Sequence, residues 1–145
     1  MGDQSGDRRI NTYMVTREIR ENALITDWTK IPVEHVSEGI KRQMVVGEKV
    51  MVCRFTFDPF VVTDVHSHPH EQITMVVAGK VKFTVEGLAV IAAPGDVLHF
   101  PSNNRHGATM LDEEVVLIDI FSPIREEFLS APVEMEPEVS ANGKG

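Results

Sequence analysis

Apolar residues recur with a period of two between residues 20 and 130, in short runs of Val, Ile, Phe and Thr that Gly, Pro and Asn interrupt. Alternation of this kind places one set of side chains on each face of an extended strand. The runs predict about nine strands, at residues 40–46, 50–57, 61–68, 73–77, 80–85, 88–92, 96–100, 106–110 and 115–121. The short connections leave no room for crossover helices, so we expect an all-β fold, an antiparallel sandwich or barrel.

The length of 145 residues is that of one domain. We expect a partly ordered N-terminal arm at residues 1–22, a folded domain at residues 23–130 and a flexible acidic tail at residues 131–145. One short helical turn is predicted over residues 124–129, after Pro123.

The charge balance and the single cysteine exclude several classes of partner and site. There are 14 Lys and Arg residues against 22 Asp and Glu residues, a net charge of −8 that repels nucleic acids and anionic membranes. Cys53 has no second cysteine with which to form a disulfide or a multi-cysteine zinc site. No apolar run approaches the ~18 residues of a membrane span, so we expect a cytoplasmic protein with neither nucleic acid nor membrane as a partner.

Histidines are concentrated in the string VVTDVHSHPHEQ, residues 61–72. His66 and His68 lie two apart in a predicted strand, so both are expected on one face of the sheet. Pro69 ends that strand because it cannot donate to the ladder, and Gln72 opens the next. A hairpin is then expected to bring His66, His68 and Gln72 to one end of a sheet, an arrangement typical of metal ligands.

The string PGDVLHFPSNNRH, residues 94–106, supplies two more histidines. His106 follows a polar turn and opens a strand, where it could complete a metal site. His99 alternates with Leu98 and Phe100 and is therefore expected on the opposite face from them. For His99, metal ligation and lining of a pocket are the two alternatives.

Together the two strings contain HxHxxxQ, then Gly79, then PGDxxxxPxxxxH from Pro94. This pattern resembles the two motifs of the cupin superfamily, and the resemblance covers residues 50–121. It implies a jelly-roll β-sandwich over residues 23–130. It also implies a divalent metal ion, for which the matching ligands are His66, His68, Gln72 and His106.

Gln72 stands at the position of the usual cupin glutamate. Neutral ligands leave a divalent ion its full 2+ charge to attract anionic oxygen. An amide oxygen is a poorer ligand than an imidazole, so we expect His99 to compete with Gln72 for the fourth position. Zinc is the favoured ion, and iron, nickel or manganese are the alternatives that would add dioxygen chemistry.

The string DIFSPIREEFL begins at Asp119. It resembles the closing element of a subgroup of small single-domain cupins that includes uronate-linearising enzymes of pectin pathways and cyclases of polyketide pathways. In the former, the acid, aromatic residue and arginine that match Asp119, Phe121 and Arg125 line the active site. The alternative is that Asp119 caps a strand end and Arg125 pairs with Glu126 or Glu127 on the surface.

Simple alternation predicts a mostly apolar, uncharged pocket wall made of Val62, Asp64, Thr74, Val76, Ala108 and Met110. Such a wall suits a hydrophobic poly-β-ketone better than a polyanionic sugar acid. The chain also resembles the TcmJ-like and RemF-like aromatic polyketide cyclases, so we expect a metal-dependent cyclase that closes a ring by aldol chemistry. Its predicted catalytic residues are Asp119 and His99, and its predicted substrate contacts are Thr74, Met110, Phe121 and Arg125.

Three other functions remain open at this point. They are a uronate-linearising sugar isomerase of the pectin-degradation type, a quercetinase-like dioxygenase and a non-catalytic metabolite-binding cupin. The charge of the pocket would separate the first of these from a cyclase. Exposed sheet edges in this fold favour a homodimer.

Overall fold

The computed structural model describes residues 25–130 and 133–136. The described residues form two antiparallel sheets that pack face to face. The strands are β1 Glu34–Ser37, β2 Ile40–Val46, β3 Met51–Phe57, β4 Val62–His66, β5 Glu71–Ala78, β6 Val81–Val85, β7 Leu88–Ala92, β8 Val97–Phe100, β9 His106–Met110, β10 Val115–Ser122 and β11 Glu134–Met135. A short 3-10 helix, Trp28–Lys30, precedes them, and one turn of α-helix, α1 (Glu127–Ser130), follows β10.

The larger sheet has the strand order β11-β1-β2-β3-β10-β5-β8, and the smaller has the order β4-β9-β6-β7. The all-β antiparallel fold expected from the alternation, and the jelly-roll sandwich implied by the cupin resemblance, are thereby confirmed. In β5 the inward side chains Gln72, Thr74 and Val76 are buried, while Ile73 and Val77 are exposed on the outer face. The period of two therefore marks the two faces of the strand, as it does in any half-buried strand.

Two apolar clusters fill the space inside the sandwich. The larger lies between the sheets and includes Phe57, Phe83, Phe100 and Met110. The smaller lies under α1 and consists of Met44, Val46, Met51, Cys53 and Phe121, with Phe128 packed against it. Phe121 thus belongs to the core and also reaches the edge of the histidine cluster, since its ring centre lies 5.8 Å from that of His68.

The predicted hairpin between residues 61–68 and 73–77 is wrong. β4 ends at His66, and β4 and β5 belong to different sheets, so His68 lies in a connection that crosses from one sheet to the other. Alternation reports which face a side chain occupies but not which strand is its neighbour. The β4–β9 register also shifts between Thr63 and His66. The strand alternation expected to relate His66 to His68 therefore does not apply, because the strand ends at the first of them.

Gly107 allows β4 and β9 to approach closely beside the histidines. A Cβ atom at this position would lie 3.1 Å from the carbonyl oxygen of Thr63 and 3.1 Å from the backbone nitrogen of Val65. That separation is tighter than an ordinary carbon contact, so a side chain at residue 107 would push the strands apart where His66 and His106 are paired.

The predicted arm at residues 1–22 and most of the predicted tail at residues 131–145 lie outside the described residues. Within the tail, the described segment includes β11, which pairs with β1 and which the sequence pattern did not predict. The helical turn is displaced towards the C-terminus of the predicted 124–129, with its α-helical residues at Glu127–Ser130. None of the helices in the described residues has the length and apolar character that a membrane span requires.

Candidate functional site

His66, His68 and His106 form a compact cluster at one end of the sandwich. His66 and His106 are register partners on β4 and β9, with ring centres 4.7 Å apart. His68 joins them from the connection between the sheets, 5.1 Å from the ring of His106 and 5.6 Å from that of His66. One ligand atom from each of the three residues lies within 4.8 Å of the others. The three predicted histidine ligands are therefore brought together.

Backbone carbonyl groups orient all three rings in the same way. In each ring the Nδ1 atom lies 2.9–3.0 Å from a carbonyl oxygen two residues away in the chain, at Asp64, His70 and Asn104 respectively. A carbonyl oxygen can only accept, so Nδ1 carries the hydrogen and donates it. The neutral ring then has a free lone pair on Nε2, the tautomer that a metal-binding histidine uses.

Burial keeps two of these rings neutral at physiological pH. It lowers the pKa of His106 to about 4 and lowers the pKa of His68, an effect to which the nearby Arg125 guanidinium adds. The Nε2 atom of His106 is buried and has no hydrogen-bond partner among the described residues. A buried acceptor without a partner is costly unless something with a positive charge meets it. The donor set therefore fits a divalent cation.

Gln72 reaches this cluster from the opposite sheet. Its Oε1 atom lies 3.0 Å from Nε2 of His68 and its side chain is buried. Because Nδ1 of His68 already donates to a carbonyl, Nε2 and Oε1 are both acceptors, and two acceptors at this distance repel each other unless a cation lies with them. Gln72 is thus in position to serve as the predicted fourth ligand.

The structure places His99 apart from the three histidines. It projects from the outer face of the larger sheet, where its Nε2 atom lies 2.7 Å from Oε2 of Glu71 and about half of each side chain is exposed. This position does not support the expected competition with Gln72 or the expected role as a proton donor. The reason is that residues 99 and 71 share the outer face of paired strands, whereas Gln72 faces inward.

Asp119 lies on β10 directly opposite Thr74 of β5, and both side chains are buried. The Thr74 hydroxyl donates to Oδ1 of Asp119 over 2.7 Å. Burial raises the pKa of Asp119 to about 6, against the opposing effects of the Thr74 hydrogen bond and the Arg125 guanidinium. A carboxyl group with such a pKa can both take up and release a proton near neutral pH.

Arg125 lies across two aromatic rings. Its guanidinium carbon is 5.1 Å from the ring centre of Phe121 and 4.3 Å from that of Phe128. Its Nε and Nη2 atoms both lie 2.7 Å from one oxygen of Glu127. Arg125 thus pairs with Glu127, as the surface alternative expected, and its positive charge also acts to lower the pKa values of Asp119 and His68.

A buried ion pair, which the sequence analysis did not predict, lies against the same Phe128 ring. Arg42 donates through Nε to Oε1 of Glu34 over 2.8 Å, and its guanidinium carbon lies 4.5 Å from the Phe128 ring. Phe128 thus contacts the guanidinium groups of both Arg42 and Arg125. The signal was available in the sequence, because Arg42 occupies an inward position of β2 in alternation with Met44 and Val46.

The structure places most of the residues predicted to form the pocket wall in the core or on the exposed surface. Val76, Ala108 and Met110 lie in the larger core cluster, and Met110 is fully buried there. Val62 and Asp64 are exposed. Thr74 is fully buried between Gln72 and Asp119, so its hydroxyl contacts protein groups. The larger-sheet side chains that contact the histidines are polar or aromatic, namely Gln72, Phe100 and Phe121.

Comparison with known proteins places this arrangement in a family context. A family model described as "Cupin domain" matches residues 53–121. The pectin degradation protein KdgF of Dickeya dadantii (strain 3937) is 38% identical over 101 residues, which cover 68% of this chain and 91% of that protein.

Two solved structures share both the fold and a substantial part of the sequence. KdgF from Halomonas sp. is 30% identical with a TM-score of 0.70, over 73% of this chain and 98% of that one. An RmlC-like cupin from Shewanella frigidimarina NCIMB 400 is 32% identical with a TM-score of 0.69, over 73% of this chain and 96% of that one.

Proposed function

The chain belongs to the cupin superfamily, and from that premise we propose that it is a metal-dependent enzyme that linearises an unsaturated uronate in pectin degradation. The observation that carries the proposal is the position of Arg125. Its guanidinium is stacked on Phe121 and Phe128 next to the histidine cluster, where it can bind the carboxylate of a sugar acid.

The expectation of a polyketide cyclase is wrong. The relatives that match most of their own length include two proteins named KdgF, one of them described as a pectin degradation protein. The physical error lay in the pocket wall, where alternation assigned core residues such as Val76 and Met110 to the substrate cleft. Arg125, one of the substrate contacts expected from the sequence, adds a positive charge that lowers the pKa of His68.

An unsaturated uronate offers the groups that this site is equipped to bind. Its ring carries a carboxylate beside a carbon–carbon double bond, a ring oxygen and an anomeric hydroxyl. Arg125 already holds a carboxylate oxygen of Glu127 with two nitrogen atoms, which supports its use as a carboxylate fork. Glu127 is about half exposed, so a substrate carboxylate can replace it at the Arg125 guanidinium.

Asp119 is the proposed proton carrier. Linearisation requires that the anomeric hydroxyl lose a proton while the bond between the anomeric carbon and the ring oxygen breaks, and that the far alkene carbon gain a proton. The products are an aldehyde and a ketone in an open chain, so no atom is gained or lost. A carboxyl group with a pKa of about 6 is suited to take the first proton and return it at the second position.

The three histidines and Gln72 are the residues that would hold the ion, and zinc is the ion we propose, since a cluster of three imidazoles suits zinc. When bound, it would supply a Lewis acid for a substrate oxygen. Elemental analysis of the purified protein identifies the metal. An oxygen-electrode trace with substrate present tests the dioxygenase alternative, which requires oxygen uptake.

The direct test is an assay on the monomeric unsaturated uronate. Loss of the double-bond absorbance is followed with purified protein and with a protein-free blank, and the open-chain product is identified by NMR. We expect acceleration over the blank that is lost after chelation and restored by Zn²⁺. A rate equal to the blank with metal-loaded, folded protein would contradict the proposal.

A further inference from the structure

A continuous chain of buried hydrogen bonds joins the candidate metal centre to Asp119. The Nε2 atom of Gln72 donates to Oγ1 of Thr74 over 2.9 Å, and the Thr74 hydroxyl donates to Oδ1 of Asp119 over 2.7 Å. Thr74 is fully buried, and Gln72 and Asp119 are 6% and 8% exposed. With so little water access, each polar atom must find its partner inside the protein.

The number of hydrogen atoms that can be donated along this series of hydrogen bonds determines which way the amide of Gln72 faces. A threonine hydroxyl has one hydrogen to donate and lone pairs with which to accept. When the Thr74 hydrogen goes to an ionised Asp119, the group at residue 72 must be a donor. The NH2 of Gln72 fulfils this requirement, which turns its Oε1 atom towards Nε2 of His68, 3.0 Å away.

We propose that Thr74 holds the Gln72 amide with its oxygen towards the three-histidine cluster, and that the Thr74–Asp119 pair is why this site takes glutamine and not glutamate at residue 72. The inference rests on the metal centre of the proposed function but not on the uronate chemistry. Thr74 is therefore a positioning residue, which acts on the ion through Gln72.

The opposite orientation of the amide is unsuitable for metal binding. It would turn the NH2 group towards His68, and an amide NH2 has no lone pair to give to an ion. It would also turn the amide oxygen towards Thr74, which would then need its one hydrogen for Gln72 and leave an ionised Asp119 without a donor. A glutamate at residue 72 meets the same difficulty, because two carboxylates would compete for one hydroxyl hydrogen.

The test compares the Zn²⁺ affinity of Thr74→Val with that of Thr74→Ser and wild-type protein, by competition with a chromophoric chelator above pH 7. Valine keeps the shape of threonine but lacks the hydroxyl, so the affinity is expected to fall about tenfold or more, the usual size of the effect when a partner of a metal ligand is lost. Thr74→Ser keeps the hydroxyl and is expected to stay within about threefold of wild type. Thr56→Val, on β3 of the same sheet, is the matched control and is expected to leave the affinity unchanged.

The same Thr74→Val substitution is also made in a Gln72→Glu protein. This comparison distinguishes the loss of amide orientation from any general effect of valine at residue 74. The two oxygens of a carboxylate are equivalent, so rotation of the group does not remove a ligand. Thr74→Val is therefore expected to change Zn²⁺ affinity by less than about threefold in this background. Circular dichroism and thermal unfolding without metal check that each variant folds, and Thr74→Ala provides the same comparison if the valine variant does not.

Two results would overturn the inference. One is a Thr74→Val protein that folds and binds Zn²⁺ as tightly as wild type, and the other is an equal loss of affinity in the wild-type and Gln72→Glu backgrounds. If the Thr74 variants show the expected Zn²⁺ affinities but the wild-type protein does not act on the uronate, only the proposed function is rejected. Conversely, uronate activity in wild-type protein with no effect of Thr74→Val on Zn²⁺ affinity would reject only this inference.

Discussion

His66 and His106 are paired directly across β4 and β9, and their ring centres lie 4.7 Å apart. The pairing places two imidazoles side by side on neighbouring strands of one sheet, with each Nδ1 atom held by a backbone carbonyl. Backbone groups therefore fix the orientation of these two rings. Removal of either ring should damage the metal site and spare the fold.

The first prediction follows from this geometry. His106→Ala, or His66→Ala with His106→Ala, is expected to remove most bound Zn²⁺ while the β-rich circular dichroism spectrum is retained, because the backbone ladder does not need the rings. Elemental analysis after desalting provides the measurement. Full occupancy in the double variant would show that the ion binds elsewhere.

The second prediction concerns the fourth ligand. Gln72→Ala removes the amide oxygen that faces His68 and is expected to weaken Zn²⁺ binding about tenfold, or about 1.4 kcal/mol. His99→Ala is the matched control, because His99 faces outward and pairs with Glu71. The two dissociation constants are measured by chelator competition. A larger loss for His99→Ala than for Gln72→Ala would contradict the placement of His99.

The third prediction tests the carboxylate fork. Arg125→Ala is expected to lower kcat/KM for the unsaturated uronate at least about tenfold, mainly through KM, because the guanidinium binds substrate. Arg125→Lys should recover only part of the loss, since an ammonium group cannot make the same forked contact. Arg105→Ala, an exposed arginine, serves as the control. Unchanged kinetics in Arg125→Ala would remove this residue from the site.

The fourth prediction uses the raised pKa of Asp119. If the ionised carboxylate takes up the first proton, kcat/KM of the wild-type enzyme should fall as the pH is lowered through about 6. Asp119→Asn should be slow at every pH, with the same metal content after saturation with Zn²⁺. A pH–rate profile of both proteins at full metal loading provides the measurement, and a wild-type rate in Asp119→Asn would exclude the role.

The fourth prediction extends to stability, because the pKa of Asp119 in the folded protein lies above the ordinary carboxyl value of 3.8. The folded state then binds this proton more tightly than the unfolded state, so Asp119 favours folding in acid and this contribution is lost as the pH rises through about 6. His106, whose pKa is lowered, has the opposite effect, but it is present in both proteins and cancels in their difference. Denaturant unfolding should therefore show wild type losing stability relative to Asp119→Asn as the pH is raised from mildly acidic to mildly alkaline.

The fifth prediction concerns the buried ion pair behind Phe128. Glu34→Ala leaves the Arg42 guanidinium buried without its carboxylate partner and is expected to destabilise the protein by about 3–5 kcal/mol. Glu34→Gln keeps an acceptor for Nε of Arg42 and should cost less. Glu38→Ala, at an exposed position, is the control in the same denaturant titration. A loss below about 1 kcal/mol for Glu34→Ala would mean that Arg42 finds another partner.

Alternation and motif spacing predicted much of the fold and part of the site. The bounds of β2, β7 and β9 agree with the predicted strands to the residue, because turns or bends flank each of them. The three histidines were identified by spacing that the geometry supports. In contrast, β1 and β11 are short and carry no clear period, and their pairing joins segments about a hundred residues apart in sequence.

Features that depend on distant parts of the chain escaped the sequence analysis. The separation of β4 and β5 into different sheets is a property of the topology, so the alternating pattern contains no information about it. Arg42 and Glu34 are only eight residues apart, but Phe128, which packs on Arg42, comes from beyond β10 in the sequence. The pocket wall was misassigned for the same reason, since an inward-facing residue such as Met110 can belong to the core or to a cleft.

The division of the candidate ligands between the two sheets has a mechanical consequence. His66 and His106 belong to the smaller sheet and Gln72 to the larger, so an ion held by all three would crosslink the two sheets of the sandwich. Its binding free energy then also opposes separation of the sheets, and saturation with metal raises the unfolding temperature by mass action.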